Sequence, residues 1–432
     1  MREDIITSIL NGTIIDPGVG EPLSVPTRSV FIEDNLSGME QDLISGLELG
    51  KCLAVVSDPT TREILGKQVE RALESIAQII SIVLPYRPNA DMETVKKLRQ
   101  TCSMADGLIA VGSGTINDLC KYTAFLDGKP YAVFGTAPSM NGYTSVSASI
   151  NEKGFKKSLP AAGARGVFLD LTVFSKAPKR MIRSGLGDSL CRSTAQADWL
   201  LAHLLFQQPY REIPFTLLAE DERGLLAEPE ALLAGDLTAM KRLARTLVLS
   251  GFGMTICGGS YPASQGEHLI SHYAEMMASP KWPESFHGEQ IGVCTLTMSR
   301  IQERLLTEDT PRVKPNFLCE RDMVDHFGME LGIECWREFS QKKLDATAAD
   351  ALNSRLQKDW NKTQERIVSI IRPFQTLRDA LFRAGAPLNP EDLHWPKPFY
   401  LEAVRHAREI RNRYTFLDFA ADCELLERVT LI

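Results

Sequence analysis

The chain has no CxxC pair, no cluster of Lys and Arg, and no apolar run long enough to cross a bilayer. Each absence removes a class of protein. Nine cysteines stand singly, at Cys52, Cys102, Cys120, Cys191, Cys257, Cys294, Cys319, Cys335 and Cys423. An odd total without paired spacing is neither a zinc-finger pattern nor a disulfide framework, and it fits a reducing compartment. No basic segment followed by an apolar one reads as a secretory leader, so a cytoplasmic protein is expected. A formal net charge of -7 argues against a nucleic-acid surface, because binding a phosphate backbone needs a basic face. A small-molecule partner is the expectation that remains.

What is present suits two domains, since 432 residues exceed one ordinary core. From about Val30 to Lys176, short β-branched runs alternate with amphipathic stretches, the pattern of a parallel sheet flanked by helices. Strands are expected at Val30–Glu33, Cys52–Ser57, Ile79–Leu84, Leu108–Val111, Tyr131–Phe134 and Val167–Leu171. Helices are expected at Thr61–Ile76 and Met92–Cys102. Between Thr144 and Leu159, small polar and apolar residues alternate around Asn151-Glu152-Lys153-Gly154, which reads as a β-hairpin. After Pro178 the strand signal ends. Long helical periods follow, among them Leu186–Phe206, Glu228–Ser250, Glu267–Met277, Glu289–Leu306, Ser354–Phe374 and Tyr400–Tyr414. The expectation is an α/β nucleotide-binding domain over residues 1–177 and an all-α domain over 178–432.

Three constellations carry chemistry. Gly112-Ser113-Gly114-Thr115-Ile116-Asn117-Asp118 follows an apolar strand and opens a helix. Glycines there let the backbone approach a pyrophosphate, and the helix start supplies N–H groups. The third glycine of the dinucleotide fingerprint is replaced by Asp118, so an ordinary tight turn is the competing reading. A second loop, Gly135-Thr136-Ala137-Pro138-Ser139-Met140-Asn141-Gly142-Tyr143-Thr144-Ser145, follows the next strand. It reads either as a second wall of the same crevice or as a well-capped turn. Asp58, at the end of the second strand, can accept from an adenosine ribose hydroxyl or cap the next helix.

The third constellation is histidine. Of seven, His268, His272 and His287 fall in one short stretch, and His268 and His272 are one helical turn apart on one face. A divalent cation held by imidazoles commonly takes a carboxylate as well. Asp188, in Gly185-Leu186-Gly187-Asp188 at the expected start of a helix, is the candidate; its competing reading is a helix cap. Imidazole with carboxylate suits zinc, iron or nickel better than magnesium or calcium. Spacing alone leaves His272 a possible ligand too. His203, His326, His394 and His406 have no comparable company and read as structural.

Together, Gly112-Ser113-Gly114-Thr115 with Asp118, Thr136-Ala137-Pro138-Ser139, Gly187-Asp188, Glu267-His268 with His272, and His287-Gly288-Glu289-Gln290 resemble the sn-glycerol-1-phosphate dehydrogenases. These belong with the iron-containing alcohol dehydrogenases, glycerol dehydrogenases and dehydroquinate synthases. The resemblance runs from about Cys52 to Ile301; the segment after Glu308 has no matched motif. It implies a Rossmann-like domain followed by an all-α domain, a homo-oligomer, and reversible reduction of dihydroxyacetone phosphate with NADH or NADPH. It further implies one divalent metal, zinc first with nickel or iron as alternatives, held by Asp188, His268 and His287, with His272 beside the substrate. Gly112, Gly114 and Thr115 would hold cofactor phosphates, Thr136, Ser139 and Ser145 would lie nearer the nicotinamide, and Asp58, Ser113, Ile116, Asp118, Ala137 and Pro138 complete the expected cofactor site. The family usually carries an aspartate that contacts substrate where Asn141 stands here. Asparagine keeps the size but loses the charge and cannot act as a base. Lys156, Lys157 and Lys281 are available for a substrate phosphate. Two other readings belong to the same resemblance: a dehydroquinate-synthase-like lyase, whose relatives carry glutamate where Asp188 stands, and a non-catalytic homologue with an altered site.

Overall fold

The computed structural model describes residues 3–152 and 155–430. Six strands, β1 (Ser29–Glu33), β2 (Cys52–Ser57), β3 (Gln78–Val83), β4 (Gly107–Gly112), β5 (Tyr131–Gly135) and β8 (Gly166–Asp170), form one parallel sheet in the order β1-β8-β5-β4-β2-β3. Every boundary lies within one residue of the expected one. Parallel strands covered on both faces need no polar alternation, and β4, β5 and β8 are buried along their whole length. The core on one face joins Leu53, Val55, Ile109, Val111, Phe134 and Phe168 to Leu65, Val69 and Leu73. Strands β6 (Ser147–Glu152) and β7 (Phe155–Pro160) pair antiparallel as the expected hairpin. Lys153 and Gly154, the rest of its expected turn, lie outside the described residues.

Strand order places a switch point. The chain goes from β2 outward to the edge strand β3, then returns to lay β4 on the other side of β2. Open α/β sheets take ligands beyond the carboxyl ends of the strands at such a point, here the ends of β2 and β4. The residues at those two ends are Asp58 and Gly112–Thr115.

By compactness the chain divides into two units: Met1–Ser189, Arg211–Ser260 and Arg383–Gly385 in the first, Leu190–Tyr210, Tyr261–Phe382 and Ala386–Ile432 in the second. Residue 177 marks where strand composition ends, and the first unit extends past it because helices beyond that point complete it. Besides α1 (Met92–Thr101) and α2 (Gly114–Leu126), it includes most of α3 (Lys179–Leu190) and all of α5 (Leu237–Ile256), which packs on β1 and on the short helix Leu171–Ser175. The second unit is helical, with α4 (Arg192–Phe206), α6 (Gly266–Met277) and α7 (His287–Leu305) packed on one another and α8 (Ala346–Val368) against α4. The helix expected over Leu186–Phe206 is two helices, interrupted at Cys191. The expected position of Asp188 at a helix start is therefore corrected: it lies in the last turn of α3. Gly185 sits inside this helix because its missing side chain admits the Pro138 carbonyl oxygen. No helix among the described residues is long and apolar enough to cross a membrane.

Candidate active site

In the first unit, Gly112 ends β4 and Ser113 stands before α2 with no side-chain capping bond. The first-turn N–H donors of α2 are thus left for an external acceptor, the arrangement that binds phosphate. Gly112 is required by packing as well, because a Cβ there would lie 2.6 Å from Ile116 Cδ1. Asp118, which replaces the third glycine, braces the hairpin: its Oδ2 accepts from Ser149 N at 3.0 Å and its Oδ1 from Asn117 Nδ2 at 3.1 Å. Asp58 accepts from Thr61 N at 2.7 Å while Thr61 Oγ1 accepts from Asp58 N. Its Oδ1 is committed to that cap.

The loop from Thr136 to Ser145 is held from three sides. On α3, a Cβ at Gly185 would fall 1.7 Å from Pro138 O; on α5, a Cβ at Gly251 would fall 2.2 Å from Thr144 Oγ1. Only glycine admits both approaches. Thr144 Oγ1 donates to Val248 O at 2.6 Å, Ser184 Oγ to Ser139 O at 3.1 Å, and Tyr143 OH to Ala137 O at 2.8 Å. Lys121, fully buried on α2, donates to Gly142 O at 2.5 Å and to Ser145 Oγ and Ser147 O at 3.0 Å each. Burial pulls its ammonium below the ordinary lysine value, with Asp118 opposing. Sequence reasoning missed Lys121, a charged residue among the apolar positions Ile116, Leu119, Cys120 and Ala124 of one helix; that misplaced charge is the signal that could have revealed it. Ser145 is 2% exposed and its hydroxyl is spent inside the loop. Asn141 N donates to Asp188 Oδ2 at 2.8 Å, while its Nδ2 is buried without a hydrogen-bond partner. Asp188 itself is 1% exposed.

In the second unit the three histidines converge. Ring centroids of His268 and His287 are 5.2 Å apart, His268 and His272 5.8 Å, and His272 and His287 6.1 Å. His268 and His272 are buried on α6, and His287 is the first residue of α7, two residues before the expected helix start at Glu289. Glu289, two residues further on, accepts from Phe286 N at 2.9 Å and so closes that helix start. Ser271 Oγ donates to Gln290 Oε1 at 2.7 Å, tying α6 to α7 at the cluster. His268 Nδ1 hydrogen-bonds Glu267 Oε1 at 2.9 Å, and Glu275 Oε1 lies 3.8 Å from His287 Nδ1. Close by, Asp198 is pushed up to about 8, first by burial and then by the Glu267 carboxylate. A carboxylate-oriented imidazole beside two more, with His287 Nδ1 buried and lacking a hydrogen-bond partner, fits a borderline-soft divalent cation.

Of the lysines available for a substrate phosphate, Lys157 pairs with Glu152 at 2.9 Å and Lys281 is exposed. The side chain of Lys156 lies outside the described residues. His326 and His406, read as structural, stack at 3.8 Å beside Tyr273.

The architecture is that of glycerol dehydrogenase from Schizosaccharomyces pombe, with a TM-score of 0.62 over 94% of this chain and 90% of that one; 16% identity makes this a likeness of fold. The family model for iron-containing alcohol dehydrogenases matches residues 31–178. Over that segment the chain is similar to that family. Glycerol-1-phosphate dehydrogenase [NAD(P)+] of Thermococcus kodakarensis is 33% identical over 276 residues, 63% of this chain and 77% of the relative. The enzyme of the same name from Bacillus licheniformis is 28% identical over 407 residues, 92% and 89%. The chain belongs to the glycerol-1-phosphate dehydrogenase family.

Proposed function

We propose that the protein catalyses reversible reduction of dihydroxyacetone phosphate to sn-glycerol 1-phosphate with NADH or NADPH. The observation that carries this reading is the cluster of three imidazoles, with Glu267 Oε1 2.9 Å from His268 Nδ1. Asp188, His268 and His287 supply one carboxylate and two imidazole donors, and are assigned to one divalent cation, with zinc first and nickel or iron next. When bound, that cation supplies polarisation of the ketone oxygen, and the nicotinamide supplies the hydride to its carbon. The N–H groups from Ser113 to Ile116 hold the pyrophosphate, and Asp58 meets the adenosine ribose through the oxygen not used in its cap. Thr136, Ala137, Pro138 and Ser139 form the nicotinamide wall, held by the Tyr143 hydroxyl on Ala137 O and the Ser184 hydroxyl on Ser139 O. His272 delivers a proton to the alcohol oxygen in reduction and removes it in oxidation.

The test is loss of reduced-nicotinamide absorbance on adding dihydroxyacetone phosphate to zinc-loaded enzyme, one cofactor consumed per substrate. In reverse, sn-glycerol 1-phosphate should be oxidised and its mirror image left. Substrate turnover without net cofactor consumption would transfer the assignment to the lyase. Asn141 meets the substrate through its buried Nδ2. Asn141→Ala should therefore raise KM for dihydroxyacetone phosphate about tenfold, the value of one neutral hydrogen bond at about 1.4 kcal/mol. An unchanged KM would remove Asn141 from substrate contact.

A further inference from the structure

Glu267 has no role in the reaction just described, yet it is 0% exposed and adjoins a proposed metal ligand. Its Oε1 accepts from Gln265 N at 2.8 Å and lies 2.9 Å from His268 Nδ1. Its Oε2 lies 3.2 Å from Thr194 Oγ1, whose single hydrogen also reaches Cys191 O at 3.0 Å. A second possible metal-binding trio, Cys191, Glu267 and His268, shares this ground, all three buried. Cys191 Sγ donates to Ala263 O at 3.6 Å. Donors from main chain, imidazole and hydroxyl already surround the Glu267 carboxylate.

We infer that Glu267 is a positioning residue: it sets the tautomer and direction of His268, and the Cys191–Glu267–His268 trio supports the cation site rather than forming another. A carboxylate facing Nδ1 keeps the proton on that nitrogen, which directs the Nε2 lone pair to the cation. The negative charge also makes the imidazole a stronger donor. Gln265 N is main chain and therefore fixes the carboxylate in place, so the imidazole is aimed before any ion arrives. Such preorganisation strengthens binding without adding a ligand. The inference rests on the proposed cation site.

Zinc affinity of the metal-stripped full chain, measured by competition with a chromophoric chelator, tests it. Glu267→Ala should weaken zinc by about 10–100-fold, and Glu267→Gln, which keeps an acceptor but not the charge, by about three- to tenfold. Cobalt-loaded Glu267→Gln should retain a four-coordinate visible spectrum. Cys191→Ser should bind zinc as the natural chain does. Folded Glu267 variants that hold zinc with unchanged affinity would overturn the inference. So would a Gln variant losing zinc as completely as His268→Ala, which would make Glu267 a ligand, or a comparable loss in Cys191→Ser. Should the Ala variant fail to fold, the Gln variant decides between the same outcomes. If the natural chain takes up neither zinc nor cobalt, the proposed cation site itself fails, a result distinct from failure of the variants alone.

Discussion

Replacing His268 by alanine should lower kcat/KM for dihydroxyacetone phosphate about a thousandfold, a loss of about 4 kcal/mol of transition-state stabilisation. The size follows from what the imidazole holds: without it the cation is retained weakly and the developing oxyanion loses its counter-charge. Metal content after dialysis should fall in parallel. His272→Ala is the informative companion, because both rings lie on one face of α6 with centroids 5.8 Å apart and spacing treats them alike. With His272 at the substrate oxygen, its loss should leave zinc bound and lower kcat about a hundredfold. If zinc is lost from the His272 variant and kept by the His268 variant, the ligand assignment is reversed. Nucleotide affinity, measured by quenching of protein fluorescence, should change in neither, because the glycine turn belongs to β4 and α2 of the first unit.

Gly185→Ala should destabilise the protein by about 3 kcal/mol, at the top of the usual range for overpacking. The obstacle is main chain: a Cβ would lie 1.7 Å from the Pro138 carbonyl oxygen, and no rotamer change relieves it. Either α3 withdraws or the loop from Thr136 to Ser145 moves, carrying with it Asn141 and its bond to Asp188. Urea denaturation should show the loss of stability, and nicotinamide nucleotide affinity should fall at least about tenfold. Gly46→Ala is the control: nothing lies within 4 Å of its Cβ position and φ is -82°, so an effect within about 0.5 kcal/mol is expected. A Gly185 variant as stable as the control would show that the helix is not seated on that loop.

Local pattern carried much of this protein. The β-branched runs at Cys52–Ser57 and Tyr131–Phe134 declare buried parallel strands because both faces are covered, and the one-turn spacing of His268 and His272 survives in any helix. The glycine turn after β4 was legible for the same reason, as a strand end followed at once by a helix start. Tertiary structure alone decided what depends on distant segments. It set the sheet order that puts Asp58 and Gly112 at one switch point, since strand neighbours are chosen by long-range packing. It placed Asp188 in the last turn of α3, because Gly185 answers to Pro138, 47 residues before it in sequence, and not to its own helix. It gave Lys121 its three acceptors, and it brought Thr194 of α4 to the Glu267 carboxylate, because a buried charge is tolerated only where the fold supplies partners, and these come from other elements of the chain.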